Sequence, residues 1–267
     1  MALIVFIFGL MIGSFLNVVT FRLHQKQSFI KGRSRCPKCH QQIRWFDNIP
    51  LLSFIMLSGR CRYCHTKISW QYPIVELVVG CLFAMAFWIN FKLPIFNLSF
   101  IWDWSLLMPV VVKFLRDIFF ISVLTVIFIY DFRWYLILDI ITIPAIIVAF
   151  VFNIILGFNV LNLLLATGIG GGFFLIQFII SKGRWIGGGD IRLGFLMGSI
   201  LGLPQVLVAL FTAYISGLII VVGLLMTGKK RMSSQVPFGT FLSIATIISL
   251  LWGTDILYYY LNFLTLS

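Results

Sequence analysis

The sequence predicts an all-α polytopic membrane protein with about eight transmembrane helices and a small cytoplasmic module between helices 1 and 2. Two observations predict this fold class. Hydrophobic residues make up 61% of the chain and charged residues only 10%, and the mean hydropathy is +1.06. A soluble domain of this composition would have to expose most of its apolar side chains to water. The charged residues are also concentrated in a few short segments, which separate long apolar ones.

Eight apolar segments are candidates for the roughly 20-residue helix that crosses a bilayer. They lie at residues 2–21, 73–92, 112–130, 139–157, 160–180, 191–203, 205–226 and 237–262. The sixth is short, contains Gly198 and Gly202, and ends at Pro204. The first is open to a second interpretation as a secretory signal, but its basic residues follow it and no clear small-residue cleavage site is present. We therefore expect residues 1–21 to form helix 1.

The basic residues lie in loops on one side of the predicted helices. Ten of the twenty Lys and Arg fall in residues 22–72, after helix 1. The remaining basic loops follow helices 3, 5 and 7, and they contain Arg133, then Lys182, Arg184 and Arg192, then Lys229, Lys230 and Arg231. Because basic loops mark the cytoplasmic side, we expect all of them in the cytoplasm and both termini outside. The net charge of +12 is then explained by the topology, and it attracts the cytoplasmic loops to anionic lipids. No nucleic-acid partner is expected.

Residues 22–72 form the one polar segment long enough to hold structure outside the bilayer. Cys36 and Cys39 form one CxxC pair, Cys61 and Cys64 form a second, and 21 residues separate the pairs. Two such pairs supply the four thiolates of a tetrahedral structural zinc site. The segment is therefore predicted to be a cytoplasmic four-cysteine zinc module.

Alternatives to zinc are two disulfides or free thiols. A reducing cytoplasm disfavours disulfides, and about fifty residues bury too little apolar surface to fold unaided, which favours a metal. His40 and His65 each follow a CxxC pair and are alternative ligands. Cys81 lies in the middle of helix 2, and we expect it to be inert packing.

Only eight residues are acidic, and five of them are not obvious catalytic candidates. Asp103, Asp117 and Asp255 fall near external helix ends, where a solvated role suffices. Asp47 lies in "WFDNIP", which is typical of a turn. Glu76 lies one turn into helix 2, where a carboxylate is costly unless it is paired or hydrated. It is expected either to pair with a loop arginine or to act in binding or chemistry.

Asp131 and Asp190 are the candidate catalytic pair. Asp131 ends helix 3 and Asp190 opens helix 6, at the same predicted interface. Gly187, Gly188 and Gly189 remove side chains beside Asp190, so that a substrate backbone can approach. Two neighbouring carboxylates share a proton, which leaves one as base and one as acid to activate water against a peptide carbonyl. The alternative is structural: Asp190 caps its helix, and Asp131 pairs with Arg133 or Arg192.

Several motifs occur together in one order. They are "GSFLNVVTFR" (13–22), the two CxxC pairs, "DNIPLLS" (47–53), "GRCRYC" (59–64), "ISWQYPIVEL" (68–77), "GGGDIRLG" (187–194) and "VPFGTFL" (236–242). This set closely resembles the type IV prepilin peptidases, bacterial membrane aspartic proteases of the GxGD type. The resemblance covers nearly the whole chain.

The resemblance implies a peptidase domain over residues 73–267. It implies cleavage of the short leader of type IV prepilin or pseudopilin precursors, after a glycine, at the cytoplasmic face of the bacterial inner membrane. The family's two catalytic aspartates match Asp131 and Asp190, and Arg192 stands where a lysine is common. Asp139 retains the carboxylate of a Pro-Asp pair common in the family, and we expect it to be structural, as a cap of helix 4.

The resemblance also implies that the new N-terminus is methylated with S-adenosylmethionine, because the full cysteine module is associated with the bifunctional form. Glu76 and Asp47 are then candidates for contacting the substrate amine. Alternatives are a peptidase without methyltransferase activity, an intramembrane peptidase with other substrates, an inactive scaffold built on the zinc module, and a transporter that uses intramembrane carboxylates.

Overall fold

The computed structural model describes residues 1–28, 32–95, 104–227 and 236–265, and these residues are almost entirely helical. Within these ranges there is no β-strand, only two isolated bridges. The helices are α1 (Ala2–His24), a 3-10 turn (Trp45–Asn48), α2 (Leu52–Met56), α3 (Gln71–Ile95), α4 (Trp104–Trp134), α5 (Asp139–Ile155), α6 (Val160–Ser181), α7 (Gly188–Leu201), α8 (Gln205–Met226) and α9 (Phe238–Thr265). Each of the eight predicted apolar segments coincides with a helix. Asp103 and the basic cluster 229–231 lie outside the described residues.

Five of the described helices are long and apolar enough to cross a membrane, judged by length and composition. They are Ala2–His24, Gln71–Phe91, Val160–Ser181, Gln205–Met226 and Phe238–Phe263. Helix α5 is apolar but has only 17 residues, and α7 has 14. Helix α4 has 31 residues but carries charged side chains. The predicted class, an all-α polytopic membrane protein, is confirmed.

The chain divides into two compact units, Met1–Leu107 and Met108–Ser267. In the first unit α1 packs directly on α3. A Cβ atom added to Gly9 would lie 2.8 Å from the Cα of Gly80, and one added to Gly13 would lie 2.8 Å from the Cα of Glu76. These glycines are required because any larger side chain would push the two helices apart.

In the second unit α6 and α7 make an equally close contact. A Cβ atom on Gly194 would meet the side chain of Phe174 at 2.6 Å, and one on Gly198 would meet the Cα of Thr167 at 2.6 Å. Gly198, one of the two glycines that interrupt the sixth apolar segment, is therefore one of the residues that let α7 pack on α6. The helix ends at Gly202, whose φ is +68°.

A buried polar cluster joins α4, α5 and α7. Arg116 donates to Asp117 Oδ1 at 2.8 and 3.0 Å and to Asn153 Oδ1 at 2.9 Å, and Asn153 donates to the carbonyl oxygens of Ser199 and Ile200. The side chains of Arg116, Asp117 and Asn153 are all buried. The prediction that Asp117 is solvated is therefore wrong, since the arginine beside it takes the place of water.

Candidate functional site

Asp131 lies in the last turn of α4 and is only 5% exposed. Its Oδ2 accepts the backbone N–H of Thr240 at 2.8 Å. Thr240 is the third residue of α9, and the first N–H groups of a helix have no partner within the helix. The start of α9 therefore holds the carboxylate in place.

Asp190 is the third residue of α7. Its Oδ2 accepts the N–H of Gly187, the residue before that helix, at 3.1 Å. A side chain that reaches back in this way closes the first turn of a helix. The structural role foreseen for Asp190, a cap after a glycine turn, is therefore present, and it leaves the other carboxylate oxygen available.

The structure brings Asp131 and Asp190 into one site, where the two carboxylates interact electrostatically. Ile137, in the loop between α4 and α5, lies beside both aspartate-bearing segments. A Cβ atom on Gly189 would lie 2.9 Å from the Cβ of Ile137, and one on Gly239 would lie 2.9 Å from both Ile137 Cδ1 and Asp131 Oδ2. The starts of α7 and α9 and the end of α4 therefore meet beside Ile137.

The three glycines before Asp190 are not equivalent. Gly189 has no room for a side chain, whereas a Cβ atom on Gly188 would meet nothing within 4 Å. Gly187 has a φ of −82°, and none of the three adopts a positive φ. Close packing therefore explains why a glycine stands at position 189. An unusual backbone conformation does not explain the glycine at any of the three positions.

Arg192 forms an ion pair with Asp139, so that the starts of α7 and α5 are joined. The predicted capping role of Asp139 is wrong, because the N-cap of α5 is Leu138 and no side chain caps that helix end. The alternative pairing of Arg192 with Asp131 is not formed either, since the guanidinium is taken by Asp139.

Four residues of this site, the first of them Ile137, were not predicted as site residues. Gly239 contributes by having no side chain, and Thr240 contributes its backbone N–H. Both lie in the motif "VPFGTFL", but neither role has a signal in the sequence. Tyr214 of α8 interacts electrostatically with Asp190, donates its hydroxyl to Gln177 Oε1 at 3.1 Å, and packs its ring 5.1 Å from that of Phe238. No sequence signal distinguishes it from the many other aromatic residues.

The four cysteines form a cluster that can hold a metal ion. Their sulfur atoms all lie within 4.8 Å of one another. The Sγ atoms of Cys36 and Cys64 are 3.8 Å apart, which is about the edge of a tetrahedron with Zn–S bonds of about 2.3 Å. All four are free of disulfides. The geometry fits a four-thiolate zinc site.

Both CxxC pairs fold as the same turn. His40 donates its N–H to the carbonyl of Cys36, and His65 donates its N–H to the carbonyl of Cys61. The two histidines have φ values of 56° and 54°. In the described part of the chain they are not members of the metal-ligand cluster, so they serve as turn residues. Cys81 is exposed on α3 and lies outside the cluster.

The two acidic candidates for the substrate amine already have partners. Glu76 is buried and accepts the N–H of Leu51 at 2.9 Å, and the foreseen pairing with a loop arginine is not formed. Both oxygens of Asp47 accept from Arg62, which holds the pKa of Asp47 below its usual range. Asp47 therefore joins its 3-10 turn to the second CxxC turn, which contains Arg62, instead of forming only a local turn.

Two family models match the chain. They are the bacterial Peptidase A24 N-terminal domain, at residues 7–90, and the type IV leader peptidase family, at residues 118–222. No solved structure matches significantly.

Curated relatives match along the whole length of the chain. A prepilin leader peptidase/N-methyltransferase of Bacillus subtilis is 31% identical and covers 97% of each chain. Proteins with the same name from Aeromonas salmonicida and Vibrio cholerae are 29% and 33% identical, over 97% and 75% of this chain and over 93% and 77% of their own lengths.

The helical fold and these matches define a multi-pass membrane peptidase. The chain belongs to the type IV leader peptidase family. Its membership of a peptidase family favours an enzyme over the transporter alternative.

Proposed function

We propose that this protein is a membrane aspartic endopeptidase that removes the short leader of type IV prepilin-like precursors and methylates the new N-terminus. The observation that carries the peptidase assignment is the convergence of two distant parts of the chain, those that bear Asp131 and Asp190. Ile137 packs beside both Gly189, which precedes Asp190, and Gly239, which lies against the Asp131 carboxylate. The relatives' names supply the substrate class and the second activity.

In the proposed mechanism, Asp131 and Asp190 share one proton and bind a water molecule against the scissile peptide carbonyl. The ionised carboxylate removes a proton from the water as its oxygen bonds to the carbonyl carbon. The protonated carboxyl group donates to the carbonyl oxygen. When the C–N bond breaks, a proton passes to the leaving amine, which becomes the new N-terminus. No covalent enzyme intermediate is required.

The proposed active site faces the cytoplasm, and both termini face outward, in the bacterial inner membrane. The support is the distribution of basic residues, ten of which lie in residues 22–72. Anionic lipid headgroups on the cytoplasmic leaflet would attract these loops. The apolar segment of the precursor would lie in the bilayer while its leader reaches the two aspartates.

Zinc is the proposed metal of the four-cysteine cluster, and its role would be structural because four thiolates leave no open coordination position. The 3.8 Å separation of Cys36 and Cys64 supports this proposal. For methylation, S-adenosylmethionine is the donor that the family resemblance implies. Both acidic candidates for the amine already accept hydrogen bonds within the chain, Glu76 from Leu51 and Asp47 from Arg62, so either one would have to exchange its present partner to bind the amine.

The test is mass spectrometry of a prepilin-like precursor incubated with the purified wild type and with Asp131→Asn and Asp190→Asn. The wild type should yield a product that has lost its leader and gained a methyl group. Each asparagine variant should lose cleavage because an amide cannot take or give the shared proton. An Arg133→Gln variant controls for a change of charge near Asp131. Full cleavage by either asparagine variant would contradict the proposed mechanism, and cleavage without methylation would leave a peptidase only.

A further inference from the structure

An uncharged apolar segment interrupts the most basic part of the chain. Residues 48–59, between Asp47 and Arg60, contain no charged side chain. They include the short helix α2, in which Ile55 is 71% exposed and Met56 81% exposed. Large apolar side chains at such exposure are unfavourable in water.

The exposed side chains lie on one face. Leu52, Ile55 and Met56 occupy positions i, i+3 and i+4 of α2, which are neighbours on a helix surface. All three are exposed, and so is Ile49 just before the helix. We call residues 49–56 the apolar wedge.

The depth of the wedge is set by a hydrogen bond to a membrane-spanning helix. The N–H of Leu51 donates to Glu76 Oε2 at 2.9 Å, and α1 packs on Glu76 at Gly13, where an added Cβ atom would lie 2.8 Å from the Glu76 Cα. Gly13 precedes Arg22, the first basic residue of α1, by nine residues, or about 13.5 Å along the helix axis. The wedge therefore reaches the level of the apolar part of α1.

The wedge surface continues the lipid-facing surface of α1. A groove of about 780 Å³ lies between them, with Ile7, Met11 and Phe15 of α1 in one wall and Ile49 and Leu52 of the wedge in the other. The three α1 residues are spaced four apart, are exposed, and belong to a candidate membrane span. Lipid that covers the exposed face of α1 would therefore also reach the wedge.

The backbone of the wedge meets the requirement that hydrocarbon imposes on buried polar groups. Besides the bond from Leu51, the N–H groups of Ser53, Ile55 and Leu57 donate to backbone carbonyls within the segment. Pro50 has no N–H to satisfy.

We propose that the apolar wedge is inserted into the bilayer and that its partner is the lipid acyl chains. The four-cysteine module is then not wholly outside the membrane. It rests on the bilayer through Leu52, Ile55 and Met56, while its charged CxxC turns stay in water. The proposal concerns the first unit alone and does not depend on the peptidase mechanism.

The test places a photo-crosslinking amino acid, p-benzoylphenylalanine, at single positions of the full-length protein in phospholipid nanodiscs. Met56 is the test position. Met11, on the exposed face of α1, is the positive control, and Gln41, exposed on the first CxxC turn, is the negative control. After illumination, mass spectrometry identifies what each position has captured.

The proposal predicts phospholipid adducts at Met56 with a yield like that at Met11 and several-fold above that at Gln41. The substituted positions are exposed, so the fold should be retained, and bound zinc measured on each variant checks this. A lipid yield at Met56 as low as at Gln41 would overturn the proposal. Capture of polypeptide in place of lipid at Met56 would overturn it as well, because the wedge would then cover a protein surface.

Discussion

Asp131 is positioned by a backbone N–H group and by the absence of a side chain at the neighbouring glycine, not by another side chain. Thr240 provides its N–H, and Gly239 leaves the carboxylate room beside Ile137. This explains why a glycine stands at that position of α9 although its backbone is helical. A small displacement of the carboxylate should matter, because reacting groups must be held within a fraction of an ångström.

We predict that Gly239→Ala lowers kcat for precursor cleavage by about 100-fold while the protein stays folded. The added Cβ atom would lie 2.9 Å from Asp131 Oδ2, so the carboxylate or Ile137 must move. Gly172→Ala in α6 is the matched control, because it lies within a helix outside the candidate site and its added atom meets nothing within 4 Å. Steady-state kinetics on both variants provide the measurement. If Gly239→Ala cleaves as fast as Gly172→Ala, then Asp131 is not positioned by this contact.

The sequence identified some of these residues and not others, for a physical reason. Asp131 and Asp190 stand out because carboxylates are rare in an apolar chain. Thr240 does not, since it contributes an N–H that every residue except proline has. The partners of Asp139, Asp47 and Glu76 were also not predictable, because hydropathy locates a side chain near an interface without saying which group lies opposite.

At the scale of elements, α4, α5 and α7 carry charged groups of the candidate site near one end and share the buried Arg116 cluster near the other. Asp131 and Arg116 are 15 residues apart on α4, which is about 22 Å along the helix. Asn153 links this cluster to α7 through the carbonyl oxygens of Ser199 and Ile200. The cluster therefore fixes the register of the three helices.

Removal of the charge of Arg116 should destabilise the second unit strongly. Arg116→Met removes the cation of a buried ion pair with Asp117 and the hydrogen bond to Asn153, and breaking a buried ion pair by removing one member costs about 3–5 kcal/mol. Lys113→Met on the same helix is the control, since Lys113 is exposed and its removal should change little. Denaturant titration in detergent micelles measures the free energy of unfolding. Equal stability of the two variants would show that the cluster does not hold the helices together.

The helices themselves were predictable because membrane-spanning segments carry their signal in composition. Every one of the eight apolar segments coincides with a helix, and boundaries differ by a few residues for most. The exception is α4, which begins at Trp104 rather than 112. Its first turns contain Pro109 and Lys113, which lower the hydropathy without preventing a helix.

At the scale of the whole molecule, the two compact units coincide with the two family models. Residues 7–90 lie within Met1–Leu107, and residues 118–222 lie within Met108–Ser267. The four cysteines belong to the first unit and both aspartates belong to the second. Because of this division, loss of the metal cluster is expected to affect the proposed N-methylation before the proposed peptide cleavage.

We therefore predict that Cys36→Ser and Cys61→Ser each abolish stoichiometric zinc binding and N-methylation while peptide cleavage continues. One ligand is lost from each CxxC turn, and a module of about fifty residues has too little core to stay folded without its metal. Cys81→Ser is the control, because Cys81 is exposed on α3 and outside the cluster. Elemental analysis of the purified proteins and mass spectrometry of the processed precursor measure zinc, methylation and cleavage separately. A wild type that is folded and active without bound metal would contradict the zinc assignment. Cysteine variants that lose cleavage as fully as Asp131→Asn would show that the two units do not act independently.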